Sequence, residues 1–95
     1  MINSSTKKLF SLGKIVATPA ALSLLEKLER TPAEFLSRHN SGDWNDLCKE
    51  DRDANDAAVK HGDRIFSSYT IDDSKIWVIT EADRSSTCIL LPEDY

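Results

Sequence analysis

The residue types in this chain that could perform covalent or metal chemistry are few: Cys48, Cys88, His39, His61 and a scatter of carboxylates. A thiol beside an imidazole oriented by an aspartate is the constellation of nucleophilic catalysis, and Cys48 or Cys88 with His39 and an aspartate supplies the types. A chain of this size contains such a trio by chance, and no local signature surrounds either cysteine. His39, His61 and Asp43 match no metal-ligand spacing. No glycine-rich phosphate loop or dinucleotide fingerprint occurs, so the reading is a non-enzymatic chain without a cofactor or metal.

Two other clusters could recognise a partner or ligand. The first is Gly42-Asp43-Trp44, which follows a helix break with Arg38 just upstream. In one account Asp43 caps the next helix while Trp44 plugs the core. In the other, Trp44 is an exposed anchor in a partner pocket with Arg38 and Asp43 on its rim, which requires an exposed indole. The second cluster is Glu81-Ala-Asp-Arg-Ser-Ser-Thr87. Asp83 and the serines can satisfy the turn's own backbone, with Arg84 paired to Glu81 or Asp83. Freed of those acids, Arg84 could instead hold an anion or a small polar ligand.

These residues depend on a modest scaffold. The chain has 95 residues, 40% hydrophobic and 29% charged, enough for one core. Lys14–Ala17 is a short β-branched run. Thr18-Pro19 opens a helix expected from Pro19 to about Glu29, with Ala21, Leu24, Leu25 and Leu28 on one face. Thr31-Pro-Ala-Glu34 has the form of a capping box and starts a second helix running to about His39, with Phe35, Leu36 and His39 inward. A third helix is expected from about Asp51 to His61, ended by Gly62. Alternation then replaces helical spacing: Ile65, Tyr69 and Ile71 share one strand face, with Phe66 on the other. Two more strands, Ile76–Glu81 and Thr87–Leu91, follow a four-residue turn at Asp72–Lys75 and the Ala82–Ser86 loop.

The spacing predicts an α+β domain: a three- to four-stranded antiparallel sheet, built on a C-terminal meander, packed against two to three short helices. Residues 1–11 read as a flexible N-terminal arm and 12–95 as the single domain. Lys14–Ala17 is the optional fourth strand at an edge.

Charge separates along the chain. Residues 1–40 carry six cations against three acids, and residues 41–95 carry six against thirteen, within a net charge of −4. The acidic part repels phosphate backbones, which argues against direct nucleic-acid binding unless the Lys7, Lys8 and Lys14 arm dominates. Asp46, Glu50, Asp53 and Asp56 recur at near-helical spacing and could offer carboxylates to a basic protein surface. The same row also reads as a solvated helix face. Two cysteines 40 positions apart give no disulfide framework; reduced, mostly buried thiols and a cytoplasmic location are expected, with no membrane span.

Leu12-Gly-Lys-Ile-Val-Ala-Thr-Pro19, Arg38-His-Asn-Ser-Gly-Asp-Trp44, Ile79-Thr-Glu-Ala-Asp-Arg-Ser-Ser-Thr87 and Ile89-Leu-Leu-Pro92 resemble the small proteins labelled plasmid-related, carried on bacterial plasmids, phages and integrated elements. The resemblance spans about Leu12 to Tyr95 and rests on short motifs. It departs at Asn45, where glycine commonly follows the tryptophan, and at Ala20-Ala21, where a glycine is common. It implies a mobile-element product akin to a group containing an inhibitor of an RNA-guided nuclease, an anti-CRISPR role. The function expected is therefore a protein-interaction module, monomeric or weakly dimeric, that blocks a host nucleic-acid-processing or defence protein. The alternatives are a small enzyme or ligand-binding domain using the Arg84 turn, and a nucleic-acid-binding accessory protein.

Overall fold

The computed structural model describes residues 8–44 and 46–95. The element order is β1 (Lys14–Ala17), α1 (Pro19–Lys27), α2 (Pro32–Asn40), α3 (Lys49–His61), β2 (Ile65–Ile71), β3 (Ser74–Thr80) and β4 (Ser86–Leu90), followed by a 3₁₀ turn at Pro92–Asp94. The class is α+β. The C-terminal meander pairs antiparallel, in the sheet order β1-β4-β3-β2.

The sheet is mixed rather than wholly antiparallel, because β1 runs parallel to β4. The chain enters beside the β3–β4 loop at Gly13, whose φ is +65° and where a Cβ would lie 2.4 Å from the Arg84 carbonyl oxygen. No other residue tolerates that approach and conformation. From there β1 donates from the Lys14 and Thr18 amides to the Ser85 and Ile89 carbonyls, both at 3.0 Å, and hands the chain directly to α1. Four residues of β-branched sequence specify extension; the direction is decided by that entry point.

All three helices cover one sheet face, α1 against β4, α2 against β3 and α3 against β2. The main core joins Ala21, Leu25 and Phe35 to Tyr69, Ile71, Ile76, Val78 and Ile89. A smaller core of Trp44, Ala58 and Ile65 lies under α3, with Phe10, Leu47 and Val59 packed on it. The expected inward face of α2 is observed, with Phe35 and His39 buried and Leu36 partly so.

Local chemistry sets most boundaries. Thr18 caps α1 through its hydroxyl, which accepts from the Ala21 amide at 3.2 Å. The end of α1 is a Schellman turn: Arg30 N–H bonds to the Leu25 carbonyl and Glu29 N–H to that of Glu26, with Glu29 left-handed at φ 58°. The capping box expected for α2 does not form. Thr31 makes no side-chain cap bond; the Glu34 amide donates to the Thr31 carbonyl instead, at 3.2 Å, and the Glu34 carboxylate is taken by a two-pronged ion pair with Arg30. Helix α3 starts at Lys49 behind Cys48 and ends at left-handed Gly62 as expected. The β2–β3 turn is shorter than expected: Ile71 pairs with Ser74, so only Asp72 and Asp73 form the turn.

Of the arm expected over residues 1–11, residues 1–7 lie outside the described residues. Leu9 and Phe10 belong to the packed body: the Leu9 amide donates to the Asn40 carbonyl at 2.9 Å, and Asn40 Nδ2 donates to the Phe10 carbonyl at 2.6 Å.

Candidate functional site

His39 comes off the inner face of α2 and is wholly buried against the sheet with Ser67, Thr80 and Thr87. Its Nδ1 lies 2.5 Å from Ser67 Oγ and its Nε2 lies 2.8 Å from Thr80 Oγ1. Thr80 Oγ1 is 2.7 Å from Thr87 Oγ1, and Thr87 donates at 2.7 Å to the Leu12 carbonyl. That last acceptor orients the whole chain, since a carbonyl can only accept. Thr87 uses its proton on Leu12, so it accepts from Thr80, and Thr80 then accepts from His39 Nε2–H. Nε2 is therefore protonated; burial and the charge of Arg84 disfavour a second proton, so the imidazole is neutral and Nδ1 accepts from Ser67, with both nitrogens satisfied.

Burial, and then the nearby positive charge of Arg84, hold the His39 pKa down at about 3. The Ser67–His39 contact has the residue types of a nucleophile and its base, yet neither side chain meets solvent. It is a structural network, and its polar atoms contribute to the complete satisfaction of buried side-chain groups among the described residues. Neither thiol belongs to it. Cys48 is exposed, against the expectation of burial, and Cys88 is half-buried with its pKa raised by desolvation. Among the described residues, no cluster of three metal-ligating side chains occurs.

Arg38 and Asp43 do come together. Arg38 Nε donates to Asp43 Oδ2 at 2.7 Å, and the guanidinium lies over the Tyr69 ring, 4.4 Å from its centroid. Tyr69 Oη donates to the Asp43 carbonyl at 2.8 Å, and burial pushes its pKa up to about 12. Asp43 therefore clamps the end of α2 to β2 instead of capping α3. Trp44 is 3% exposed, so its indole is the core plug, and the exposed-anchor account is set aside.

The Glu81–Thr87 turn is likewise occupied by its own chain. Asp83 Oδ1 accepts from the Ser85 amide at 3.0 Å, as the turn chemistry predicted. Arg84 pairs with neither Glu81 nor Asp83 through their carboxylates. Its Nη1 donates to the carbonyls of Asp63 at 2.7 Å, Ala82 at 3.1 Å and Glu81 at 3.2 Å, and its Nη2 to that of Ala58 at 3.0 Å. Ala58 is in the last turn of α3 and Asp63 lies just past its Gly62 cap, where the negative pole of the helix favours a cation. Arg84 is a helix cap delivered from a distant loop, and both its terminal nitrogens are engaged. Glu81 instead meets Arg64 at 3.4 Å.

The acidic row divides. Asp46 precedes α3, and its Oδ2 accepts from the Thr70 amide on the outer edge of β2 at 2.9 Å. Glu50, Asp53 and Asp56 stand exposed on α3, with Asp53 bonded to Lys49 at 2.8 Å. The sequence-derived candidates thus fall into separate places rather than one site. Reading the sequence also missed an aromatic hollow on the sheet face away from the helices, a cavity of about 250 Å³ lined by Arg64, Phe66, Trp77, Ile79 and Tyr95. Its signal was present in the alternation that sets Phe66 opposite Ile65. No described helix is long and apolar enough to cross a membrane. Neither a family model, nor a curated protein, nor a solved structure matches this chain.

Proposed function

We propose that this chain is a non-enzymatic protein-interaction module that meets a basic partner surface with the acidic outer face of α3. The observation that carries this reading is how the polar side chains divide. His39, Arg38, Asp43 and Arg84 are engaged in hydrogen bonds that hold the fold. Glu50, Asp53 and Asp56 are exposed on one helix, at steps of about 4.5 Å along its axis. Carboxylates held at fixed intervals complement a surface of lysines and arginines, such as the phosphate-binding groove of a host nucleic-acid-processing or defence protein. The plasmid-related motifs suit such a target.

The test is capture of partners on the tagged chain from nuclease-treated lysate of a plasmid-bearing bacterial host, beside the variants Glu50→Lys, Asp53→Lys and Asp56→Lys. A stoichiometric protein that the native chain retains is expected to be lost from the triple variant, and to weaken as salt rises past the regime where the screening length is about 10 Å. Retention by the triple variant, or recovery through nucleic acid alone, overturns the reading.

A further inference from the structure

The two edges of the sheet are treated differently. On β2 side chains occupy three of the outward backbone groups: Asn55 Nδ2 donates to the Phe66 carbonyl at 2.6 Å, the Phe66 amide donates to Asn55 Oδ1 at 3.2 Å, and Asp46 takes the Thr70 amide. Such occupation keeps an edge from pairing with another strand. On β1, Lys14 and Thr18 point their amides at β4, so strand alternation turns the N–H and C=O of Ile15 and Ala17 to the free side. Among the described residues nothing bonds to them. The apolar surface gathers at the same place: of the five exposed large hydrophobic residues described, Ile15 (49%) and Val16 (40%) are on β1, and Leu22 (47%) is on the helix that follows it.

We propose that the free edge of β1 pairs antiparallel with β1 of a second copy, about a two-fold axis at Val16, so that two four-stranded sheets join into one of eight strands. The register follows from the backbone. With Val16 opposite Val16, Ile15 and Ala17 exchange both hydrogen bonds with Ala17 and Ile15 of the other copy, four bonds in all. Pro19 has no amide to extend the ladder. The axis stands perpendicular to the sheet, which keeps both helix layers on one side.

Charge supports a second copy as the occupant. In this register Lys14 of one copy stands opposite Thr18 of the other, on the same face. Thr18 Oγ1 donates at 2.7 Å to Asp94 Oδ2, which puts an exposed carboxylate where the incoming ammonium arrives. Symmetry forms that pair twice. A four-residue edge is a small interface, so the association is concentration-dependent.

Sedimentation equilibrium of the full chain from about 10 μM to 1 mM reads the outcome. The mass is expected to climb from 10.6 kDa toward twice that value. Mixed labelled and unlabelled chains should show nuclear Overhauser contacts between Val16 methyls of different copies. Ile15→Pro removes an outward donor and leaves the inward ladder intact, and Lys14→Glu sets like charges together; each should weaken association at least tenfold. Lys14→Glu combined with Asp94→Lys should restore it, which decides the matter even where Ile15→Pro disturbs folding. A single-copy mass at every concentration overturns the proposal. So does a dimer indifferent to both single variants, or an edge that pairs only with a foreign strand.

Discussion

His39 has more influence on stability than its sequence context suggests, because burial and the nearby Arg84 charge hold it in its neutral form. Its folded pKa of about 3 lies below the ordinary histidine value near 6.5. Between those values the unfolded chain binds a proton that the folded chain refuses. Stability contributed by neutral His39 is therefore intact above pH 6.5 and falls as pH drops toward 3, at up to about 1.4 kcal/mol per pH unit. Urea titrations should show about 2 kcal/mol lost between pH 7 and pH 5, with the slope flattened in His39→Gln. Imidazole nitrogen shifts should report Nε2–H alone down to about pH 4. Arg84 is the second residue of this kind. Arg84→Lys keeps the charge at the α3 terminus but loses the planar fork that reaches four carbonyls, and should cost about 2 kcal/mol in denaturant unfolding.

Among the elements, α1 ends at some cost in backbone strain. Glu29 occupies the left-handed position of the Schellman turn, where a side chain raises the energy by about 1 kcal/mol, and its own side chain is exposed. Glu29→Gly should stabilise the protein by about 0.5–1 kcal/mol, seen as a Tm rise of about 4 °C. The failed capping box of α2 has the same local origin. Arg30 follows that turn within reach of Glu34, and a charge-assisted pair outcompetes a bond from carboxylate to backbone amide. The motif Thr31-x-x-Glu34 was legible; its competitor one residue upstream was not weighed by pattern alone.

For the whole molecule, the sheet places its two candidate contact surfaces apart. Helix α3 lies over β2, and β1 is the opposite edge, about 14 Å away across three strand spacings. The surfaces should therefore fail independently. Glu50→Lys with Asp53→Lys and Asp56→Lys should remove partner capture and leave the sedimentation mass unchanged. Lys14→Glu should lower the mass and leave single-site partner affinity unchanged, while reducing retention on a surface dense in partner, where two linked sites bind together.

Helices, meander and inward faces were determined by the sequence itself, because hydrophobic period, the Thr18-Pro19 start and the Gly62 stop act over a few residues. The identity of the core-facing residues of α2, His39 included, followed from the same spacing. Tertiary structure alone decided the rest. The parallel direction of β1 depends on a glycine contact between residues 13 and 85. Asp43, Trp44 and Arg84 took their roles from partners 14 to 26 positions away, and the proton on His39 Nε2 was placed by a hydroxyl relay ending at Leu12. Periodicity records which side of an element faces inward; it carries no information about which distant donor meets which distant acceptor, and that pairing separated the buried polar groups from the carboxylates left on α3.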